Sequence, residues 1–153
     1  MTIHFMSLAS GSSGNCYYLG TDSYGILIDA GISARRIKKI LKQHDIGMET
    51  IRAVFVTHDH ADHIKGVGML GEKLHIPIFA TKEVHRGMNE NYCMKVKLNG
   101  SVRYLEKETP FTLEDFKIES FEVPHDGTDN VGYSIDIDGV NFAFLTDLGE
   151  ITP

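Results

Sequence analysis

Cysteine is scarce in this chain of 153 residues, which carries Cys16 and Cys93 and no other. Two thiols make no disulfide framework, so the fold must rest on an apolar core, and both cysteines read as reduced and incidental. Long hydrophobic runs are missing too. Ala53-Val54-Phe55-Val56 is typical of the longest, far short of the stretch a membrane span needs. The opening Met1-Thr2-Ile3-His4-Phe5-Met6 has neither the basic start nor the apolar stretch of a signal peptide. These absences lead to the expectation of a cytoplasmic protein with no membrane partner. Positive charge is also in deficit: 15 Lys and Arg face 21 Asp and Glu, a net −6. That argues against broad electrostatic capture of nucleic acid while leaving room for a local basic patch. Bound cations are another way to offset several carboxylates. No repeat or low-complexity segment interrupts the chain.

What is present is an ordinary globular composition, 42% hydrophobic and 24% charged, long enough for one domain over residues 1–153. Strands are predicted over residues 3–8, 16–19 and 24–29, with Ser10-Gly11-Ser12-Ser13-Gly14-Asn15 as a turn between the first two. The Gly-Ser turn could cradle an anion, but a tight hairpin connection is the better reading. Ser33 is the predicted N-cap of a helix with Ile37, Ile40 and Leu41 on one face and Arg35, Arg36, Lys38, Lys39 and Lys42 on the other. That basic face is read as solvated. A buried strand over 51–57 is followed by helical spacing at Ile64, Val67, Leu70 and Leu74, with Gly66, Gly68 and Gly71 there for close packing. A strand over 76–80 and a helix after Thr81 come next, and residues 88–100 have no predicted element. Strands over 102–106, 117–124, 131–138 and 140–147 close the chain, with Asp138-Gly139 suited to a two-residue hairpin turn. Strands mixed with helices and then a run of antiparallel strands predict an α/β sandwich rather than a doubly wound sheet.

The chemistry concentrates where the 51–57 strand ends. His58, His60, Asp62 and His63 place four potential ligands within six positions. Imidazole nitrogen and carboxylate oxygen suit zinc, and also manganese or iron. Extended backbone puts His58 and His60 on one side, two residues apart. A turn after them can bring Asp62 and His63 to the same volume, an array able to hold two ions. The bland alternative, surface polar residues at a helix start, does not explain three of the eight histidines beside two aspartates after an apolar strand.

Thr57-His58-Asp59-His60-Ala61-Asp62-His63 resembles the THxHxDH signature of the metallo-β-lactamase superfamily. Asp29 in Ile26-Leu27-Ile28-Asp29-Ala30-Gly31, His125 in Val123-Pro124-His125-Asp126-Gly127 and Asp147 in Leu145-Thr146-Asp147-Leu148-Gly149 resemble the family's further motifs, in order. The 8–15 turn and His63-Ile64-Lys65-Gly66 are similar to the WalJ/YycJ-like subgroup, which implies an exonuclease acting on DNA. The resemblance implies a metallo-β-lactamase-type αβ/βα sandwich, of which this chain would hold the N-terminal half and the start of the second sheet. It implies His58, His60 and His125 on one metal, Asp62 and His63 on the other, and Asp147 between them. Asp29 would accept a hydrogen bond that orients a ligand. The expected cofactor is two Zn2+, with Mn2+ or Fe as substitutes.

The expected function is therefore metal-dependent hydrolysis, in which cations polarise the scissile group and acidify a bound water held with Asp62 and Asp147 as the catalytic carboxylates. Nucleic acid is the expected substrate. Thioesters or lactams are the alternative substrates, because one fold hosts several chemistries. A non-catalytic metal-binding or interaction fragment is the alternative from another class. The family's fold continues past the bridging aspartate, whereas Pro153 lies six residues after Asp147, so a partial domain is expected. An uncovered apolar face at Phe142, Phe144 and Leu145 is expected with it, and with that face either homodimerisation through it or lower stability than a longer chain has. His4, His44, His75 and His85 are expected to have no role.

Overall fold

The structure, a computed structural model, describes residues 1–123 and 130–145, with only the backbone of Asn130 described. Two sheets organise it. Six strands form the first: β1 (His4–Ala9), β2 (Cys16–Gly20), β3 (Gly25–Ile28), β4 (Ile51–Phe55), β5 (Ile78–Ala80) and β6 (Val102–Tyr104). They lie side by side in chain order. β1, β2 and β3 run antiparallel in succession, while β3 through β6 are mutually parallel. The second sheet is antiparallel, in the order β10 (Val140–Phe144), β9 (Asn130–Ile137), β8 (Phe116–Val123) and β7 (Phe111–Leu113).

Three helices join the parallel strands: α1 (Ala34–Gln43), α2 (Ala61–Ile64) and α3 (Lys82–Glu90). Ser33 caps α1 by accepting from the Arg36 N–H at 3.2 Å, and Thr81 caps α3 by accepting from Val84 at 3.3 Å. Each cap satisfies a donor that the first helical turn leaves unpaired. All four residues of β3 are buried, as expected of a strand covered on both faces. Phe55 faces the second sheet, meeting the Tyr133 ring edge-on at 5.6 Å and stacking on Phe79 at 5.0 Å. Ile37 and Leu41 of α1 and Val84 and Met88 of α3 belong to the same core. The second sheet turns its polar face outward, where Asn141 donates to Ser134 and Asp136.

The elements depart from the sequence expectation where glycine and side-chain bonds intervene. The 64–74 stretch is helical but not one regular helix. Its last turn widens to an i→i+5 bond, Leu74 N–H to Met69 C=O at 3.1 Å. Glycines let it lie close to its neighbours: a Cβ on Gly66 would sit 2.3 Å from the Ile32 carbonyl. Segment 91–101 is irregular because side chains satisfy its backbone. The Asn89 amide pairs with both backbone groups of Leu98, at 2.8 and 3.0 Å. The Glu72 carboxylate accepts from the N–H groups of Asn99, Gly100 and Ser101 and from the Ser101 hydroxyl. Those bonds lower its pKa to about 2. Strand β7, three residues long, has no counterpart in the sequence reading. Asp138 and Gly139, with φ of 49° and 79°, form the hairpin turn that their chemistry predicts.

The apolar face expected to lie bare is partly covered within the chain. Phe144 is only 8% exposed. Phe5 and Tyr17 of the first sheet pack on Phe144 at 5.8 and 6.0 Å, and Phe5 stacks on Phe142 at 5.7 Å. The cover comes from β1 and β2, whose aromatic side chains bridge to the second sheet. Leu145 and Val140 remain exposed. Among the described residues no helix is long and apolar enough to cross a membrane.

Candidate metal centre

The parallel pair β3–β4 delivers the site. Both strands point their C-terminal ends to one edge of the sheet, with Ile28 opposite Phe55, so Asp29 and Thr57 emerge side by side. Asp29 takes a left-handed backbone, φ 61°, tolerated by aspartate better than by most side chains. That turn aims a fully buried carboxylate at the neighbouring loop. It accepts three hydrogen bonds there: Thr57 N–H at 2.8 Å, Thr57 hydroxyl at 2.7 Å and His63 Nδ1 at 2.6 Å.

These bonds dictate where the histidine protons sit. A carboxylate only accepts, so His63 Nδ1 carries the hydrogen, and in the neutral imidazole Nε2 then keeps its lone pair. The Thr57 hydroxyl spends its one hydrogen on Asp29, so its oxygen is an acceptor for His58 Nδ1, 3.1 Å away. His58 Nε2 is thereby left with a lone pair as well. One buried carboxylate therefore sets the tautomer of two imidazoles, the first directly and the second through a hydroxyl.

His58, Asp62 and His63 converge: one donor atom from each lies within 4.8 Å of the others. The His58 ring centre is 4.5 Å from that of His60 and 3.9 Å from that of His63. His60 keeps an extended backbone just before α2, and the short helix then carries Asp62 and His63 back toward His58. Two imidazole nitrogens with their lone pairs held ready, beside a carboxylate about a third exposed, make a donor set that fits a zinc-like divalent cation.

The loop is clamped from two sides. Gly31 lies under Asp62 so closely that a Cβ there would stand 1.7 Å from the Asp62 carbonyl oxygen. Just after α3, Asn91 donates to the Asp59 carbonyl at 2.9 Å. The second sheet reaches the same loop: Val131 N–H donates to Thr57 C=O at 2.8 Å, and the Tyr133 hydroxyl donates to Val56 C=O at 2.7 Å. Burial, then the Asp29 charge, pushes the Tyr133 phenol and the nearby Cys16 thiol up, so both stay neutral.

His125 and Asp147 lie outside the described residues. Of the four histidines expected to have no role, His85 is buried and bonds the Ile78 and Arg103 carbonyls through Nε2, and His4 pairs with Asp22 at 2.6 Å. Sequence reasoning passed over Asn15 and Thr57. The Asn15 amide nitrogen lies 3.2 Å from both Asp62 Oδ2 and His63 Nε2, a proximity that only the pairing of β2 with β3 reveals.

Comparison with known proteins agrees with this geometry. The profile of the family described as "Beta-lactamase superfamily domain" matches residues 24–153. The chain is 34% identical over 155 residues to the exodeoxyribonuclease YycJ of Bacillus anthracis, covering 99% of this chain and 57% of that protein. It is 37% identical to the exodeoxyribonuclease WalJ of Streptococcus pneumoniae, over 95% of this chain and 54% of that protein. The chain thus spans a little over half the length of these relatives. A metallo-β-lactamase with a HARLDQ motif from Cronobacter sakazakii superposes with a TM-score of 0.73 at 18% identity, over 92% of this chain and 60% of that one. At that identity the likeness speaks for the fold alone. Profile and fold agree with the histidine-aspartate loop at the end of β4, and the relatives are of the WalJ and YycJ kind: the chain belongs to the metallo-β-lactamase superfamily.

Proposed function

We propose that this chain carries the cation-holding part of a metal-dependent hydrolase that cleaves phosphodiester bonds of DNA as an exonuclease. The observation that carries the reading is the hydrogen-bonded set centred on Asp29, which holds the His58 and His63 lone pairs beside Asp62. A surface polar cluster has no use for a buried carboxylate that fixes two tautomers. The preference for DNA rests on the two exodeoxyribonucleases, at 34% and 37% identity.

In this reading His58, His60 and His125 would hold one cation and Asp62 and His63 the second, with Asp147 as a further carboxylate for the pair. Zinc is the first candidate on donor chemistry, with manganese and iron as substitutes. Bound there, the cations supply Lewis-acid polarisation of the scissile phosphoryl group and water that ionises near neutrality. The chain's own contribution is orientation. Asp29 and Thr57 hold the imidazoles, and α2 holds Asp62 on the open side of the cluster. The strands that precede and follow position 125 in sequence, and the one that precedes position 147, belong to a sheet that meets the loop. β9 meets the loop through the Val131–Thr57 bond, and Phe144 pairs with Tyr133, itself bonded to Val56.

Elemental analysis of the wild type and of the His58→Ala and His63→Ala variants, with digestion of end-labelled DNA by each, tests this. Loss of bound metal together with loss of stepwise nucleotide release is expected. Wild-type metal content in both variants would sink the assignment, and metal-loaded protein inert on DNA but active on a thioester or lactam would replace the substrate.

A further inference from the structure

Asp62 Oδ2 and His63 Nε2 stand 3.5 Å apart, two electron-rich atoms facing one volume. Among the described residues, the amide nitrogen of Asn15 lies next to both. It lies 3.2 Å from each, 3.3 Å from the Asp62 carbonyl oxygen and 3.0 Å from the Gly11 carbonyl oxygen. Four acceptors surround an NH2 group that has two hydrogens to give. The carboxamide cannot turn its oxygen inward cheaply. Its Oδ1 accepts from Gly11 N–H at 3.1 Å while its nitrogen donates to Gly11 C=O, so a half-turn would break both bonds.

The Asn15 main chain is held separately. Its N–H donates to Asp62 C=O at 2.7 Å, and its C=O accepts from Gly31 N–H at 2.8 Å. The loop therefore has an anchor that does not depend on the side chain.

We propose that the Asn15 carboxamide is the internal occupant of the second cation site, a hydrogen-bond donor that the cation must displace and that sets the affinity of that site. The proposal rests on the two-cation reading above. Because Asp29 takes the hydrogen of His63 Nδ1, the Nε2 lone pair is the one that the Asn15 N–H can engage. A cation requires that same lone pair and the same face of Asp62. Occupation by amide and by cation is mutually exclusive, so the amide bonds stabilise the metal-free chain and oppose loading.

The test is titration of metal-free wild type, Asn15→Ala, Asn15→Asp and His63→Ala with Zn2+ and with Co2+, whose absorption reports its coordination. Thermal melting is measured with and without the ion. For Asn15→Ala a lower melting temperature is expected without metal, and a weaker cation step tightened by about tenfold, the size of effect a lost hydrogen bond to a charged group produces. Asn15→Asp sets a second carboxylate beside Asp62 and should tighten that step further while lowering metal-free stability more. If loading is unchanged or weaker in Asn15→Ala, with His63→Ala still losing a cation, the displacement idea is overturned while the two-cation reading stands. If His63→Ala binds as many cations as wild type, the two-cation reading itself fails.

Discussion

Replacing Asp29 with asparagine changes one heavy atom and should invert the chemistry of two histidines. The oxygen of the introduced carboxamide must keep the Thr57 N–H, at present 2.8 Å from Asp29 Oδ1, because the opposite orientation sets N–H against N–H. The new NH2 then occupies the place of Oδ2, where Asp29 now accepts from the Thr57 hydroxyl and His63 Nδ1. His63 must become an acceptor at Nδ1 and carry its hydrogen on Nε2. The Thr57 hydroxyl, facing a donor, must give its hydrogen to His58 Nδ1 at 3.1 Å, which moves the His58 hydrogen to Nε2 as well. Fold stability should fall by only about 1–3 kcal/mol, since bonds to a charged acceptor become neutral ones while shape is kept. Metal affinity should fall by about 10–100-fold for each misdirected ligand. Asp29→Ala, by contrast, leaves buried donors unpaired and should destabilise more than Asp29→Asn. Histidine 15N chemical shifts of the metal-free protein above the imidazole titration range read the tautomers directly, and Co2+ titration reads the affinity. Asp29→Asn protein that keeps both Nδ1-protonated tautomers, or binds Co2+ like wild type, would refute the relay through Thr57.

Four further outcomes are expected. Glu72 has its pKa lowered from 4.5 to about 2 by the Ser101, Asn99 and Gly100 donors. Its contribution is full above pH 4.5 and lost as pH falls toward 2, so Glu72→Gln should be less stable at neutral pH and lose less stability over that window in acid denaturation followed by circular dichroism. Gly31→Ala drives a Cβ to 1.7 Å from the Asp62 carbonyl oxygen. A loss of about 1–3 kcal/mol or more is expected, with reduced metal content by elemental analysis; unchanged metal and melting temperature would show the loop is not clamped there. His58→Ala should lose metal with little loss of fold. His85→Ala should keep its metal and melt lower, because it removes the buried ring and its Nε2 contact with the Ile78 and Arg103 carbonyls.

Much of the fold could be read from periodicity and turn chemistry. The Ser33 cap, the Asp138-Gly139 hairpin and the strand before His58 each follow from local rules that nothing distant contradicts. What could not be read was set by long-range partners. The 91–101 segment has no regular pattern because Glu72, Asn89 and Asn91 satisfy its backbone from elsewhere in the chain, or tie it to other segments. The 64–74 stretch carries helical spacing, but its glycines meet Ile32, Val96 and Ser101, and that close contact accompanies an irregular coil. At the site, the dense histidine-aspartate run declared itself because ligands adjacent in sequence are rare without a reason. Asn15 did not, because a glycine-serine turn ending in asparagine has an adequate explanation as a turn.

The reason Asn15 belongs to the site is topological. In a purely parallel sheet, only the C-terminal ends of strands meet at the ligand edge, and the start of β2 would lie at the far side of the molecule. Here β2 runs antiparallel to β3, with Tyr17 opposite Ile28, so the residue before β2 arrives beside the residue after β3. The change from antiparallel to parallel pairing at β3 thus brings three kinds of segment to one edge. The turn before β2 supplies the Asn15 amide, the left-handed turn after β3 supplies the Asp29 carboxylate, and the loop after β4 supplies Thr57, His58, Asp62 and His63. Donor, carboxylate and imidazoles are therefore adjacent because of strand direction, and no single stretch of the sequence contains all three.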